Sequence, residues 1–422
     1  MRVMKDSGVR WLGMIPKSWD LDKIVSLYSE RSTKVSDKEY PALSVTKQGI
    51  VPQLESAAKT DNGDNRKLIK KNDFVINSRS DRRGSCGISE YEGSCSLINI
   101  VLAPKNNMVN RYYNYLFKTE LFADEFYKWG NGIVDDLWST KWSNMKNIMV
   151  PFPSLEEQQA IAEHLDTKCA QIDTIIAKEQ AVIEKLQEYK KALITEAVTK
   201  GLNPNVNMKE SGLDWIGKVP ETYSLIKLKF LGEYFNGLTY SPDNLTDVDE
   251  GVLVLRSSNI KNGKLVLDDN VYVNVDTPRY LVKNNDILIC SRNGSRNLVG
   301  KNILLLEDIH AYFGAFMMIF RLNSEVYSKW VYYVLNSNLF LAYLGSFFSS
   351  TINQLTGKDF GNIIIPICDV EEAKQITEYL DEKCSNIDSI ILKKQFTIDK
   401  LIEYKQSLIY EVVTGKKEVP HV

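Results

Sequence analysis

The chain carries an internal duplication, and this feature constrains its fold more than any other. Residues 4–24 read MKDSGVRWLGMIPKSWDLDKI, and residues 208–228 read MKESGLDWIGKVPETYSLIKL. The two stretches share the frame M-K-[DE]-S-G-x-x-W-[LI]-G-x-[IV]-P, which is too long to arise by chance. Self-similarity of this kind indicates that one structural unit is repeated. We therefore expect two related halves.

A second block recurs behind each copy of the frame. The segment beginning at Glu156, EEQQAIAEHLDTKCAQIDTIIAKEQAVIEKLQEYKKALITEAVTKG, aligns without gaps with the segment beginning at Glu371. The frame repeats after 204 residues and the second block after 215, so the middle of the second half is eleven residues longer. Each half thus consists of the frame, an intervening stretch and this block.

The recurring block has the pattern of a long amphipathic helix. Its apolar residues lie seven apart along two interleaved rows, which is the stripe of a coiled coil. Two matching copies favour helices that pack on each other over helices that each dock on a globular core. The predicted seam residues are Leu165, Ile172, Ile176, Ile183, Leu186 and Leu193 in the first copy, and Leu380, Ile387, Ile391, Ile398, Leu401 and Leu408 in the second.

The limits of both helices are marked in the sequence. Each block follows a proline, Pro153 or Pro366, and precedes a glycine, Gly201 or Gly415, which are typical helix boundaries. Some 40 helical residues at about 1.5 Å each would make a rod of about 60 Å. Polar residues also fall on the seams, where they commonly fix register; they are Glu179, Lys190, Lys394 and Lys405.

The stretches between the helices are different in character. Short β-branched and aromatic runs such as NDFVINSR, LINIVLA and NDILICSR alternate with turns rich in Gly, Asn, Asp and Ser. Short helices interrupt them, so we expect α+β globular domains. The predicted division is a first globular domain at 1–153, a long helix at 154–201, a second globular domain at 202–366 and a long helix at 367–416.

The two globular stretches share a strand that ends in a basic loop. KKNDFVINSRSDRRGS, from Lys70, parallels KNNDILICSRNGSRNL, from Lys283. Between Arg66 and Arg83 seven basic residues face two acidic ones, a local charge of +5 on a chain whose net charge is −2. The loop residues predicted to contact DNA are Arg79, Ser80, Arg82 and Arg83 in the first half and Arg292, Asn293 and Arg296 in the second.

Arginine and asparagine side chains suit DNA, because they neutralise phosphates and pair with guanine and adenine edges. An exposed basic loop is often only a solvated surface, but recurrence in both halves favours a binding role. The polar stretch before each long helix, GNGIVDDLWSTKW or SSTINQLTGKD, is a further candidate. The remaining predicted DNA contacts are Lys47, Gln48, Arg256, Asn259, Lys261, Thr351, Asn353 and Gln354.

Catalytic groups are scarce in the sequence. It has three histidines, and it lacks HExxH, GxSxG, GxxxxGK[ST] and the Asn-Pro-Pro-aromatic motif of amino-methyltransferases. Its six cysteines have no CxxC spacing, so we predict neither a zinc site nor any other metal site, and we interpret the cysteines as reduced and structural. No apolar run could span a bilayer, and the start resembles no secretory signal, which favours the cytoplasm.

The repeated frame and the start of the first long helix resemble a known family. The frames GVRWLGMIP and GLDWIGKVP, with PFPSLEEQQAIAEHLD at 151–166, are similar to the specificity subunit of type I restriction–modification enzymes. The order of variable domain, helix, variable domain and helix covers essentially the whole chain. The second copy departs from the pattern, since Ile365–Cys368 replaces PFPS and Ala373-Lys374 replaces Gln158-Gln159. This divergence affects only the entry to the second helix.

The resemblance implies a division of labour within a complex. Each globular domain would recognise one half of a bipartite, asymmetric site on double-stranded DNA, and the two helices would pair antiparallel as a molecular ruler, giving the chain a pseudo-two-fold repeat. Two methyltransferase subunits would dock on the helical regions and methylate adenines. Restriction subunits that hydrolyse ATP and cleave DNA would join them. S-adenosylmethionine, ATP and magnesium would then be bound by these partners, with no cofactor and no catalytic residue in this chain.

Two other functions stay open from the residues alone. A coiled-coil adaptor that holds protein partners suits the near-neutral charge, because a protein that binds DNA over its whole surface would be basic. A nuclease without a recognisable motif would cut DNA as the purified chain in the presence of metal. Loops that contain arginine and asparagine follow matching strands in the two halves, and this favours DNA recognition over both of these alternatives.

Overall fold

The computed structural model describes residues 2–54, 63–132, 138–347 and 353–420. The chain divides into two compact units, one formed by Met1–Gln180 with Phe396–Val422 and the other by Ala181–Gln395. Each unit therefore combines one globular region with a segment of both long helices. Because these units cut across both helices, the four-part division of the sequence stays a prediction.

The first globular region combines short antiparallel strands with a few helices. Its strands are β1 (Met4–Asp6), β2 (Met14–Pro16), β3 (Asp20–Lys23), β4 (Tyr28–Glu30), β5 (Lys34–Val35), β6 (Leu43–Thr46), β7 (Gly49–Pro52), β8 (Arg66–Ile69), β9 (Phe74–Asn77), β10 (Cys86–Ile88), β11 (Gly93–Cys95), β12 (Asn99–Pro104) and β13 (Met149–Phe152). Its helices are α1 (Ile24–Leu27), α2 (Asn110–Phe117), α3 (Glu120–Lys128) and α4 (Trp142–Met145), with a 3-10 turn at Ser80–Arg82. The long helix α5 (Leu155–Lys200) follows.

The second globular region repeats this design, with fourteen strands in its described residues against thirteen in the first. Its strands are β14 (Met208–Glu210), β15 (Lys218–Pro220), β16 (Ser224–Lys227), β17 (Gly232–Asn236), β18 (Leu245–Thr246), β19 (Val252–Leu255), β20 (Ile260–Lys261), β21 (Lys264–Leu265), β22 (Tyr272–Val273), β23 (Ile287–Cys290), β24 (Asn302–Leu304), β25 (Ala311–Phe313), β26 (Met317–Leu322) and β27 (Ile364–Ile367). Its helices are α6 (Val326–Leu335), α7 (Asn338–Phe347) and α8 (Gly357–Gly361), followed by the long helix α9 (Val370–Val413). The 3-10 turns used below lie at Ser257–Asn259 and Arg296–Leu298.

Matching four-stranded sheets organise the two regions. In the first region the order is β10-β9-β12-β4, and in the second it is β17-β26-β23-β24. The runs FVIN of β9 and ILIC of β23 are buried at every position, as expected for central strands covered on both faces. A further sheet, β18-β22-β19-β25, contains the parallel pair β19–β25. The predicted α+β class is confirmed.

The turn that leads into each central strand has the same construction. Asn72 and Asn285 both adopt a left-handed backbone, with φ of 72° and 65°, a conformation in which asparagine is favoured among residues other than glycine. The following aspartates, Asp73 and Asp286, are buried, and each accepts a backbone hydrogen bond that closes the turn. This confirms the correspondence that the two Asn-Asp segments predicted.

Aromatic side chains fill the core behind each sheet. Tyr28, Phe74 and Phe117 are fully buried in the first region, with ring centroids 5.1–6.2 Å apart in tilted and edge-on arrangements. In the second region Phe320 packs edge-on against Phe360 at 5.1 Å. Such pairs contribute beyond their buried area. They make each globular region a rigid support for the loops that its strands carry.

Both long helices stop where glycine was expected. Gly201 and Gly415 follow their ends with φ of 74° and 71°, a backbone that glycine adopts without the steric cost of a Cβ atom. Acidic residues occupy the first turn of each helix, where their negative charge interacts favourably with the positive end of the helix dipole. The sequence had predicted these limits.

Within each unit the two helix segments run antiparallel. In the second unit Lys190 of α5 pairs with Asp388 of α9 at 2.7 Å, and further along α5 the Gly201 position lies beside Glu372, nearer the start of α9. In the first unit Lys405 of α9 pairs with Asp173 of α5 at 2.6 Å. The helix pairing that the resemblance implied is therefore present.

The predicted seam is the packed side of both helices. None of its residues is exposed in the structure. Buried members are Leu165, Ile172, Ile183, Leu380, Ile387, Ile398 and Leu408, and half-buried members are Ile176, Leu186, Leu193, Ile391 and Leu401. Two of the seam lysines, Lys190 and Lys405, hold the ion pairs described above. Cys169 and Cys384 are buried free thiols beside this seam, as interpreted from the sequence.

Candidate nucleic-acid interface

Each candidate loop begins where a buried central strand leaves the sheet. In the first region Asn77 ends β9, and its side-chain oxygen accepts a hydrogen bond from the Arg79 backbone at 3.1 Å. In the second region Cys290 ends β23, and burial raises the pKa of its thiol. Because the strand behind each loop is fully buried, the start of each loop is fixed in position.

Both loops are held against the polar stretch that precedes the long helix. Thr140 donates its backbone N–H to the Ser78 carbonyl at 2.9 Å, and Leu355 donates to the Ser291 carbonyl at 2.8 Å. The next residue of each loop completes an isolated antiparallel bridge, Arg79 with Ser139 and Arg292 with Gln354. The structure therefore joins two candidate segments that the sequence predicted separately, and it does so in the same way in both halves.

The second loop has further ties to its surroundings. Asn353 donates its side-chain amide to the Gly294 carbonyl at 3.1 Å, and Asn293 donates its own to Ser257 Oγ at 3.3 Å. Arg296 starts the 3-10 turn behind the loop and is exposed. Thr351 lies outside the described residues. Arg292, Asn293, Asn353 and Gln354 are thus brought together at one place.

In the first loop the arginines have acidic neighbours. Arg79 pairs with Asp81 at 3.1 Å, and Arg82 lies 3.6 Å from the same carboxylate. Arg83 forms an ion pair with Asp124 of α3. Ser80, which is half-buried, donates its backbone N–H to the Trp138 carbonyl at 3.1 Å. Arg82, at 68% exposure, is the most open of the three arginines.

The local charge of +5 that the sequence indicated is not concentrated in one place. Arg66 is buried and donates to Ser94 Oγ at 2.9 Å, so it is part of the core. Lys67 donates to the Asn99 carbonyl at 2.8 Å. Lys70 and Lys71 precede β9, whereas the arginines follow it, so the strand separates them. Strand β9 thus divides the run: Lys70 and Lys71 lie at its start, whereas Lys67 lines one cleft with Arg79 at its end.

A cleft opens beside the first loop. Its volume is about 420 Å³, and Ser78, Arg79 and Ser139 line it together with the basic side chains of Lys67 and Lys141. The exposed apolar residues Leu97 and Ile98 form part of the rim. Its hydroxyls and cations are the kinds of group that contact DNA phosphates. Lys141 was missed from the sequence, although it lies within the polar stretch that was singled out.

The other predicted contacts fall in separate places. Lys47 and Gln48 are exposed at the tip of the β6–β7 hairpin. Arg256 pairs with Asp269 at 3.0 Å, and Lys261 pairs with Asp268 at 2.7 Å, which lowers the pKa of Asp268.

The prediction that Asn259 contacts DNA was wrong. It is fully buried, and its side chain accepts from the Arg256 backbone at 2.9 Å and donates to the Val266 carbonyl at 3.1 Å. These bonds close the 3-10 turn at Ser257–Asn259. The sequence did not reveal this, because a buried turn asparagine and an exposed base-reading asparagine have the same local pattern. Asn259 therefore supports the turn and does not face a ligand.

One basic residue near the second loop was not predicted. Lys301 donates to the Ser257 carbonyl at 3.2 Å, and burial lowers the pKa of its ammonium group. Ser257 is the residue that also accepts from Asn293, so Lys301 adds a cation next to that loop. The sequence signal was weak, because a single lysine just before a strand, here β24, is common.

The described part of the chain offers no obvious metal site and no membrane span. No group of three or more His, Cys, Asp or Glu side chains among those residues could hold a metal ion. None of the helices in the described ranges is both long and apolar enough to cross a bilayer.

Comparisons with known proteins agree with this geometry. The family model described as type I restriction modification DNA specificity domain matches residues 28–185 and 220–400. The type I restriction enzyme MjaVIII specificity subunit of Methanocaldococcus jannaschii is 25% identical over 434 residues, which cover 97% of this chain and 95% of that protein. The StySPI specificity subunit of Salmonella potsdam is 22% identical over 82% of this chain and 75% of its own length.

A solved structure shows that the fold is shared. A chain of the type I R-M system superposes with a TM-score of 0.67, covering 96% of this chain and 99% of that chain at 13% identity. The two separate family matches each cover most of one globular region and part of a long helix, in agreement with the duplication. Between the functions that the sequence left open, these findings support DNA recognition over the adaptor. The chain belongs to the type I restriction modification DNA specificity family, as a specificity subunit.

Proposed function

We propose that this chain selects the target of a type I restriction–modification complex, each globular region reading one half of a bipartite, asymmetric site on double-stranded DNA. The observation that carries the proposal is the matching pair of backbone hydrogen bonds, Thr140 to Ser78 and Leu355 to Ser291. They hold an arginine loop against a polar stretch in the same way in both halves. A recognition surface needs such rigid support, because base readout depends on the exact direction of a few side chains.

The two surfaces differ in chemistry, so the half-sites should differ. In the first loop Arg79 shares the carboxylate of Asp81 with a second arginine. In the second loop the guanidinium of Arg292 makes no ion pair with any side chain in the described ranges. Acidic neighbours screen an arginine from phosphates, whereas a guanidinium without one is available for a base edge. The paired helices would then set the separation of the half-sites.

Exposed apolar residues on the helices suit the docking of partner subunits. Ile175 and Tyr189 of α5 are 45% and 59% exposed, and the equivalent Ile390 and Tyr404 of α9 are 44% and 51% exposed. In the second unit Val182, Leu186 and Tyr189 line a shallow groove of about 400 Å³. Large exposed apolar side chains often mark an interface. Because they recur in both helices, two copies of one partner are expected.

The partners would supply the chemistry. In this proposal two methyltransferase subunits bind S-adenosylmethionine and methylate adenines, and restriction subunits bind ATP and magnesium and cleave DNA. This chain contributes recognition and assembly and performs no reaction itself. The complex would act in the cytoplasm, where chromosomal DNA is accessible.

The decisive experiment maps methylated adenines in cells that express the chain with its methyltransferase subunits. We expect one bipartite motif. With Arg79→Ala the specificity of one half should relax, and with Arg292→Ala that of the other, since a base contact is worth about 1–3 kcal/mol of discrimination. Arg10→Ala, an exposed arginine outside the loops, is the matched control and should leave the motif unchanged.

Binding in vitro separates recognition from assembly. The affinity of the complex for random duplex DNA should fall steeply with added salt, because phosphate contacts release counterions. Both loop variants should still form the complex with the methyltransferase subunits. A flat salt response, or an Arg79→Ala chain that no longer assembles, would contradict the proposal and favour a protein adaptor or a structural loop.

A second test addresses the docking residues. Tyr189→Glu and Tyr404→Glu should each reduce the number of bound methyltransferase subunits from two to one, and the double variant should bind none. Mass measurement of the purified complexes gives these numbers directly. The exposed Lys200→Glu change, near the end of α5, is a control for the added charge. Unchanged stoichiometry in both single variants would place the docking surface elsewhere.

A further inference from the structure

The second globular region exposes a phenylalanine beside its recognition loop. Phe316 lies in the turn between β25 and β26 and is 59% exposed. An isolated exposed apolar residue is common on protein surfaces and needs no explanation by itself. The surroundings of Phe316, however, give this side chain a defined position and a defined neighbour.

The backbone of Phe316 is held firmly while its ring is open to solvent. Its carbonyl accepts hydrogen bonds from the backbone of Ser291 at 2.9 Å and of Arg292 at 3.1 Å, and from Ser291 Oγ at 3.0 Å. The following residue, Met317, closes the turn by donating to the Gly314 carbonyl at 2.8 Å. The ring is therefore presented by a rigid turn that is attached directly to the recognition loop.

The neighbour of the ring is the arginine of the loop. The guanidinium carbon of Arg292 lies over the Phe316 ring, 5.4 Å from its centroid, within the range of a cation–π contact. Arg292 makes no ion pair or side-chain hydrogen bond with the residues that the structure describes. A guanidinium that contacts a ring in this way keeps its N–H donors available for a further partner. The pair is thus preorganised.

The first globular region has an apolar residue at the equivalent place. In the sheet of the second region Cys290 is the register partner of Met317, and in that of the first Asn77 is the partner of Asn99. Phe316 directly precedes Met317, and Ile98 directly precedes Asn99, so the two residues are equivalent. Ile98 is 43% exposed and lines the same cleft as Arg79. An exposed apolar side chain beside the loop arginine therefore recurs in both halves.

We propose that Phe316 and Arg292 together read two adjacent base pairs of the second half-site, a thymine followed or preceded by a guanine. This deepens the DNA recognition proposed above and rests on it. The ring edge of Phe316 contacts the thymine 5-methyl group in the major groove, and the fork of Arg292 pairs with O6 and N7 of the guanine. Ile98 makes the corresponding, smaller apolar contact in the first half-site.

The cation–π contact distinguishes between two ways in which a phenylalanine can read DNA. An intercalating wedge needs both ring faces free, because base pairs cover both. One face of Phe316 is covered by Arg292, so only the ring edge and the other face remain. Contact with a methyl group in the groove needs no more than that edge. The geometry therefore favours a methyl contact over insertion between base pairs.

The test replaces thymines by deoxyuridine, which removes only the 5-methyl group. The full-length chain, in complex with its methyltransferase subunits, is titrated with duplexes that carry the mapped site, and each thymine of the second half-site is replaced in turn. One replacement should weaken binding about fourfold, the worth of one buried methyl group. Phe316→Ala should bind thymine and deoxyuridine duplexes equally, whereas Phe230→Ala, a phenylalanine of the same region with 66% exposure, should keep the difference.

A second arm addresses the guanine. Replacing the neighbouring guanine by 7-deazaguanine removes N7, and this should weaken the wild-type complex but not the Arg292→Ala variant. Thermal unfolding of both variants, expected within a few degrees of wild type, shows that the fold is intact. A second half-site without an adjacent thymine and guanine, or a Phe316→Ala complex that still distinguishes deoxyuridine, overturns this inference while leaving the proposed function in place. Failure of the wild-type complex to prefer its mapped site would contradict the proposed function itself.

Discussion

Lys190 on the first long helix donates to both carboxylate oxygens of Asp388 on the second at 2.7 Å. The equivalent residues 215 positions away repeat the contact with the partners exchanged, since Lys405 donates to both oxygens of Asp173 at 2.6 and 2.7 Å. The duplication therefore reappears as a pair of reciprocal ion pairs. Each lies in its own compact unit and fixes how two helix segments are aligned there.

Exchanging the charges of one pair tests this alignment. Lys190→Glu places two carboxylates together and should destabilise the chain more than the loss of a half-exposed pair, which is worth about 0.2–1 kcal/mol. The double change Lys190→Glu with Asp388→Lys should recover most of that loss. Urea unfolding measures both, with Lys185→Glu, an exposed lysine of the same helix, as the control. No recovery in the double variant would mean that the contact does not set the alignment.

The seam leucines should account for much of the stability of the helix pairs. Leu165 and Leu380 are equivalent in the repeat and both fully buried. Truncation of either to alanine should lower the free energy of unfolding by about 2–5 kcal/mol, because it removes buried methyl groups and leaves a cavity. Ile175→Ala removes an aliphatic side chain that is 45% exposed and should cost far less. Equal losses in the three variants would contradict the assignment of the seam.

The buried aspartates in the turns before β9 and β23 each form an ion pair with an arginine. Arg321 donates to both oxygens of Asp286 at 2.8 and 2.6 Å, and this contact raises the pKa of Arg321. Arg321→Met should cost about 3–5 kcal/mol, because it leaves a carboxylate buried without its partner. The double variant Arg321→Met with Asp286→Asn should be less destabilised than the single one. Arg279→Met, at an exposed position, is the control for loss of an arginine.

The exposed lysine at the β6–β7 hairpin tip should act through phosphates alone. Lys47→Ala is expected to reduce the slope of log K against log salt by about 1 without changing the preferred sequence. Binding of the complex to specific and random duplexes at several salt concentrations measures both quantities. Lys200→Ala, on a long helix, should leave the slope unchanged. A changed sequence preference in Lys47→Ala would instead make this residue a base contact.

A buried thiol should make the fold sensitive to alkali. Burial raises the pKa of Cys86 from its ordinary value of 9.0 to about 12. The unfolded chain therefore loses this proton at lower pH than the folded chain, so stability is complete below pH 9 and falls as the pH rises towards 12. Urea unfolding at pH 8 and pH 10.5 should show a smaller decrease for Cys86→Ala than for wild type. Equal decreases would mean that this thiol is not responsible.

Much of the architecture could be predicted from the sequence. The duplication, both long helices, their glycine ends and their seams follow from residue spacing along the chain, and each was confirmed. The correspondence of the two Asn-Asp turns was also found. By contrast, the arginine that reaches the buried aspartate was not, because Arg31 follows β4 whereas Arg321 lies within β26. The two equivalent aspartates therefore form ion pairs with arginines at different places in the sheet. The repeat pattern in the sequence does not predict this difference.

For the candidate interface, too, some features could be predicted from the sequence and others required the structure. The sequence alone determined which segments are repeated and which carry arginine, asparagine and serine, because periodicity and composition are local properties. Only the tertiary structure decided that each loop lies against the pre-helix stretch, that Asp124 pairs with Arg83, and that Asn259 is buried. The first two are contacts between residues far apart in the chain, and all three depend on strand register and packing, which the order of residues does not reveal locally.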